Sequence, residues 1–108
     1  MTVTVTDQEI VHTSPKGEVR RVSWSSLIRV ALRTTDDGPF GPDMFWYFFA
    51  GGDKPALFVP CDTEGEQDLL PALQERLPGF NNDLFIEAMS TVTNRVFLLW
   101  EAEATPVS

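Results

Sequence analysis

Residues Met44 to Phe49 read Met-Phe-Trp-Tyr-Phe-Phe, six large apolar or aromatic side chains with no polar residue between them. Because a β-strand directs successive side chains to opposite faces, a run without alternation predicts a strand that is covered on both sides, or one that is closed into a barrel with one side capped. Residues 95–101 (Arg-Val-Phe-Leu-Leu-Trp-Glu) have the same character. We expect these two strands to neighbour each other inside one curved antiparallel sheet at the centre of the core.

The segments before residue 60 predict further strands. Alternating or apolar segments predict strands near residues 3–5, 9–12, 18–22, 28–35 and 56–60. Ser14-Pro15-Lys16-Gly17 has the composition of a tight turn, which predicts a hairpin between the second and third strands. Residues 36–43 contain two Gly and two Pro and predict a loop.

After residue 60 the pattern changes to a helical period. Leucines at 69, 70, 73 and 77 predict a helix that begins near Asp68 and ends at Pro78-Gly79. Thr63 and Glu66 have the spacing of a capping box, and Asn81 predicts the N-cap of a second short helix. Antiparallel strands followed by segregated helices predict the α+β class. The length of 108 residues suits one domain over residues 1–108, and we expect residues 101–108 to fray.

Two stretches together resemble a known family. Residues 17–30 (Gly-Glu-Val-Arg-Arg-Val-Ser-Trp-Ser-Ser-Leu-Ile-Arg-Val) are similar to the hairpin and following strand of small bacterial pleckstrin-homology-like (PH-like) domains. Leu-Pro-Gly-Phe-Asn-Asn at 77–82, with Phe-Leu-Leu-Trp at 97–100, resembles short uncharacterised bacterial proteins that carry such a domain. The resemblance implies a curved antiparallel sheet, a partly open barrel, with C-terminal helices and a final strand. It implies no activity.

The charge of the chain disfavours some partners. The net charge is −8, with a balance of +2 over residues 1–35 and −10 over residues 36–108. Duplex nucleic acid and anionic membrane surfaces both favour basic proteins, so neither partner is expected. The N-terminal sequence lacks the pattern of a signal peptide, and the single Cys61 cannot form an internal disulfide. These features favour a cytoplasmic location.

No residue pattern predicts catalysis, a metal site or a cofactor. His12 is the only histidine, and it has no nucleophile motif to match, so we interpret it as an ordinary sheet residue. Cys61 has an acidic neighbour rather than the positive surroundings that activate a thiol, and we interpret it as a packed side chain. One Cys and one His do not make a zinc site. The acidic residues do not have the spacing of a calcium loop.

The sequence therefore favours a non-catalytic interaction or scaffold module that binds a protein partner. The candidate partner-binding residues are Phe40 at the tip of the loop, Asp36, Asp37, Asp43, Glu64 and Glu66. An alternative is an acidic immunity or inhibitor protein that neutralises a basic toxin or nuclease through residues 36–37, 43, 62–68 and 101–103. A third hypothesis is a small-molecule pocket lined by Trp24, Trp46, Phe58 and Trp100. A homodimer that buries one sheet face is also left open.

Overall fold

A computed structural model of the chain describes residues 2–35, 44–51, 54–61, 63–91 and 93–102. The α+β prediction is confirmed, because the described residues form two antiparallel sheets, of three and four strands, and two helices. The strands are β1 (Thr2–Val5), β2 (Glu9–Thr13), β3 (Val19–Ser23), β4 (Arg29–Thr34), β5 (Met44–Phe49), β6 (Leu57–Pro60) and β7 (Arg95–Glu101). The helices are α1 (Leu69–Arg76) and α2 (Asn82–Met89). Within the described part of the chain, the strands do not close into a barrel.

The three-stranded sheet has the order β1-β2-β3. The predicted turn joins β2 to β3: the Gly17 amide donates to the Ser14 carbonyl at 2.9 Å, and Gly17 has a φ of +87°. The Ser14 hydroxyl oxygen also accepts from the amides of Lys16 and Glu18, at 3.2 and 3.0 Å. The side chain of one serine thus stabilises the whole turn.

The four-stranded sheet has the order β6-β5-β4-β7. The two aromatic strands lie in one sheet, as expected, but β4 lies between them, so they are not adjacent. Leu32 of β4 is opposite Trp46 of β5 on one side and Phe97 of β7 on the other. The core-facing side chains of β4 are apolar, which suits this strand to a position between two other strands of the sheet. The prediction of a single curved sheet is wrong, because the described strands form two sheets.

The core lies between the inner faces of the two sheets and the two helices. Its largest fully buried side chains are Trp46, Phe48, Ile10, Leu32, Leu57, Leu69, Leu73 and Leu99. The alternation predicted for β4 is confirmed: Val30 and Leu32 are fully buried, whereas Arg33 is exposed. Burial of these side chains is the main source of stability in a domain of this size.

The helices follow the predicted boundaries closely. A short 3-10 turn, Glu66–Asp68, leads directly into α1, and Pro71 lies in the first turn of α1, where its missing amide hydrogen costs little. Asn81 is the N-cap of α2, and its side-chain oxygen accepts from the Leu84 amide at 3.0 Å. The Thr63–Glu66 capping box is wrong. The Thr63 hydroxyl has no hydrogen bond to any of the described residues, and the Glu66 carboxylate binds Trp46 instead.

Glu101 completes β7, and the Ala102 amide donates to the Ile28 carbonyl at 2.8 Å. The rest of the predicted tail, residues 103–108, lies outside the described residues. Among the helices of the described residues, none combines the length and the apolar character that crossing a bilayer requires.

Candidate functional site

Four of the six predicted partner-binding residues, Phe40, Asp36, Asp37 and Asp43, lie outside the described residues. The other two are in the segment before α1. Glu64 is exposed, and its carbonyl accepts from the Val3 amide at 2.8 Å. Glu66 is half-buried, and its carboxylate accepts from the Trp46 indole at 2.7 Å. One of these two acids therefore has a partner inside the protein.

Trp46 and Glu66 belong to a small pocket between the four-stranded sheet and the helices. Its volume is about 220 Å³, and its lining includes Cys61, Leu70 and Phe85. The rings of Trp46 and Phe85 stack with their centroids 5.8 Å apart. The lining is mostly apolar, and the polar groups of Trp46 and Glu66 already bind each other.

The four aromatic residues of the pocket hypothesis do not line one cavity. The Trp24 indole donates to the Thr6 carbonyl at 2.9 Å, beside the three-stranded sheet. The Trp100 indole donates to the Pro78 carbonyl at 3.0 Å, at the turn between the helices. Phe58 is 41% exposed, on the side of the four-stranded sheet that faces away from the core. These aromatic side chains mainly anchor separate parts of the structure.

His12 lies in a different pocket, of about 200 Å³, which Ser14, Glu18 and Arg20 also line. The histidine is buried, only 8% exposed, and its Nε2 atom has no hydrogen-bond partner within the described structure. Burial lowers the pKa of His12, because the charged imidazolium is poorly solvated there. His12 and Cys61 therefore line separate pockets. The described residues contain no group of three or more His, Cys, Asp or Glu side chains placed to hold a metal ion.

The most unusual surface is the side of the four-stranded sheet that faces away from the core. We call this surface the outer face. The strand registers show which side chains share the outer face. They are Ala31 and Arg33 of β4, Phe45, Tyr47 and Phe49 of β5, Phe58 of β6, and Val96 and Leu98 of β7. Val96 is 65% exposed and Leu98 is 45% exposed. Contiguous apolar surface of this kind typically marks a binding site.

The aromatic side chains of the outer face support one another. The Phe45 and Phe58 rings stack at a centroid distance of 5.1 Å, and Tyr47 tilts against Phe58 at 5.3 Å. The Arg29 guanidinium lies over the Phe49 ring, 5.4 Å from its centroid. These contacts connect side chains across the strands and hold the rings in place. The surface is therefore organised before any partner arrives.

A groove of about 540 Å³ runs over the outer face. Ala31 lies at its floor because its small side chain is opposite Tyr47 on one strand and Leu98 on the other. The lining extends from Pro55, in the turn before β6, to Asn94 and Arg95 at the start of β7. The groove thus crosses β5, β4 and β7.

One unpaired positive charge lies beside the groove. Arg33 lines it, is exposed, and has no carboxylate within ion-pair distance among the described residues. Arg95 borders one end of the groove, but its guanidinium lies on the core side, 4.7 Å from the centroid of the Phe97 ring and 4.0 Å from the Glu87 carboxylate of α2. Arg29 is neutralised by Glu101 at 2.9 Å.

From the sequence we expect β5 and β7 to be covered on both sides, or to bury one sheet face in a homodimer, whereas the structure exposes Val96 and Leu98 on the outer face. A usable signal was present in β4, where Arg29 and Arg33 alternate with buried residues. Neighbouring strands of one sheet share their faces, so the side of β5 and β7 that adjoins those arginines had to be exposed to solvent.

Comparisons with known proteins leave the chain without an assigned family. No family model, curated protein or solved structure matches it.

Proposed function

We propose that this chain is a non-catalytic protein-interaction or scaffold module that binds a protein partner on its outer face. The observation that carries the proposal is the exposure of a continuous aromatic and aliphatic surface on a rigid sheet. Residues such as Phe58, Val96 and Leu98 gain stability when a partner removes them from water. Pre-arranged aromatic side chains also lose little entropy on binding.

The positions of the reactive side chains support a non-catalytic role. His12 has no hydrogen bond from Nε2 and lies in one pocket, and Cys61 lines another, so the two do not form a nucleophile–base pair. We also propose that the α+β architecture is a PH-like one. Support for this comes from the quoted segments and from the order of elements, since antiparallel strands precede the helices.

The alternative of an acidic inhibitor receives less support from the geometry. Its surface requires several free carboxylates close together. Glu66 binds Trp46, and Glu101 pairs with Arg29 at 2.9 Å. The most exposed apolar side chains of β7 lie beside arginines, and a basic partner would be repelled there.

Site-specific photocrosslinking in cells that express the full chain tests the proposal. A photoreactive residue replaces Leu98 on the outer face, or Ile86 on α2 in a matched control. Both side chains are apolar and exposed, at 45% and 66%. We expect one discrete protein adduct with the Leu98 probe and none with the Ile86 probe. Equal labelling at both positions, or no adduct at Leu98, would contradict the proposal.

A further inference from the structure

We propose that the pocket between the four-stranded sheet and α2 binds a soft, readily polarised monovalent metal ion, Cu(I), through the sulfur atoms of Met44, Cys61 and Met89. These three side chains line the same pocket of about 220 Å³. The pocket also contains the buried Trp46, so it lies on the core side of the sheet. The site is therefore separate from the outer face and independent of the proposed protein-binding function.

The pairing of β5 with β6 brings the first two sulfur atoms together. The Cys61 amide donates to the Met44 carbonyl at 3.0 Å, one residue beyond the last pair of the ladder, so the two residues are opposite each other. Side chains at opposite positions share one face and have Cβ atoms about 4.5–5.5 Å apart. Trp46, two residues along β5, is buried in the core. Met44 and Cys61 therefore point to the core side as well.

Helix α2 supplies the third sulfur atom. The rings of Phe85 and Trp46 stack at a centroid distance of 5.8 Å, which fixes the helix against β5 at that point. Met89 follows Phe85 by four residues, on the same helix face and about 6 Å further along the axis. Met44 precedes Trp46 by two residues, about 6.6 Å along the strand. Because Met44 and Met89 line one pocket, these two steps bring both thioethers to the same end of it.

The set of donor atoms selects the kind of metal. Thiolate and thioether sulfur atoms favour Cu(I), whereas structural zinc sites use four ligands drawn from thiolates, imidazoles and carboxylates. The pocket offers one thiol and two thioethers, and its carboxylate, on Glu66, already accepts from the Trp46 indole. One thiolate, two neutral thioethers and a monovalent cation have no net charge together. A mostly apolar pocket can hold such a neutral group without burying an unpaired charge.

Binding exchanges a proton for the metal ion. The Cys61 thiol releases its proton to solvent as the bond between sulfur and Cu(I) forms, and the oxidation state of copper does not change. The ion can reach the sulfur atoms from solvent, because Met89 is 59% exposed and Met44 and Cys61 are half-buried. The Glu66 carboxylate at the same pocket adds negative charge, which favours the approach of a cation.

Anaerobic titration of the full chain with Cu(I), supplied as its coloured bicinchoninate complex, measures the stoichiometry and the Kd. We expect one Cu(I) per chain. Met44→Leu and Met89→Leu should each raise Kd by about tenfold or more, because leucine keeps the volume but removes the sulfur ligand. Cys61→Ser should raise Kd further, because it removes the thiolate. The matched control is His12→Gln, which removes the only histidine from a different pocket and should change Kd by less than about twofold.

X-ray absorption spectroscopy of the Cu(I)-loaded parent protein tests the same ligands without a variant. We expect three sulfur neighbours around copper and no nitrogen neighbour. A nitrogen neighbour, or a loss of affinity with His12→Gln, would place the ion elsewhere and overturn the inference. A Kd that neither methionine variant changes would overturn it too, because a single thiol would then account for the binding. Failure of the parent protein to take Cu(I) from bicinchoninate, or tighter binding of Zn(II) than of Cu(I), would also overturn it.

Discussion

Gly65 holds the segment before α1 against the first strand. Its φ is +90°, and a Cβ atom at this position would collide with the carbonyl oxygen of Val3. The contact is close because the Val3 amide donates to the neighbouring Glu64 carbonyl at 2.8 Å. A side chain at residue 65 must therefore both adopt a left-handed conformation and displace β1.

We predict that Gly65→Ala lowers the free energy of unfolding by more than the roughly 1–2 kcal/mol that a left-handed conformation costs. Gly17→Ala is the matched control, since Gly17 has a similar φ of +87° but open space around it. Urea denaturation of both variants gives the comparison. Equal losses for the two variants would show that the contact with Val3 is unimportant.

His12 gives the protein a pH-dependent stability. Burial lowers the pKa of His12 in the folded state, whereas the unfolded chain titrates near the ordinary value of 6.5. Above this pH the side chain is neutral in both states, and its contribution to stability is complete. As the pH falls below 6.5, the unfolded state binds a proton that the folded state does not, so unfolding becomes easier.

We predict that the free energy of unfolding falls between about pH 7 and pH 5, and that His12→Gln reduces this slope. Urea denaturation at several pH values measures the slope for both proteins. Below this range the carboxylates begin to titrate in both, so the difference between the two proteins is the informative quantity. A slope that is unchanged by the substitution would rule out His12 as its source.

The strand β7 shows how one element can serve both stability and binding. Leu98 and Leu99 are adjacent and identical, yet Leu98 is 45% exposed on the outer face and Leu99 is 1% exposed in the core. The register shift in the pairing with β4 falls at this point of the strand, between Val30 and Ala31. A bulge of this kind re-aims side chains and protects an edge strand.

We predict that Leu99→Ala lowers the free energy of unfolding by about 2–5 kcal/mol, because it leaves a cavity in the core. Leu98→Ala should change it by no more than about 0.5 kcal/mol, because the side chain is already partly in water. The two variants have the same composition, so one serves as control for the other in guanidinium denaturation. A large loss for Leu98→Ala would mean that the outer face is covered in the isolated protein.

The elements themselves were largely predictable from the sequence, because local signals specify them. The Ser14–Gly17 turn, the helical leucines and the Asn81 cap all act over a few residues. The Thr63–Glu66 box failed because a distant residue competed for the same carboxylate: Trp46 is 20 positions away in the chain, and its indole needs an acceptor when it is buried. A tertiary contact of this kind has no local signature.

At the scale of the whole molecule, the outer face could not be predicted from the sequence of each strand considered separately. The aromatic run of β5 is compatible with two covered faces or with one covered face and one binding face. The choice depends on how many elements the chain can place around the sheet. Two short helices cover the inner side, and none of the described elements covers the outer one. The candidate site is thus a property of topology rather than of any motif.

The charge of the whole molecule makes its stability depend on the salt concentration. A net charge of −8 repels itself in the compact state, and the exposed ion pairs, such as that of Arg21 with Glu9, offset little of this repulsion. Raising the salt concentration from about 0.01 M to about 0.15 M shortens the Debye length from about 30 Å to about 8 Å. Screening therefore weakens the repulsion within the chain.

We predict that this change in NaCl concentration raises the free energy of unfolding at pH 7, because it screens the repulsion among the acidic residues. Urea denaturation in the two buffers measures the effect. The Arg33→Glu protein is the control: it makes the chain more negative, so its free energy of unfolding should rise more with salt than that of the parent protein. A stability that stays constant or falls at the higher salt concentration would contradict the role of charge repulsion.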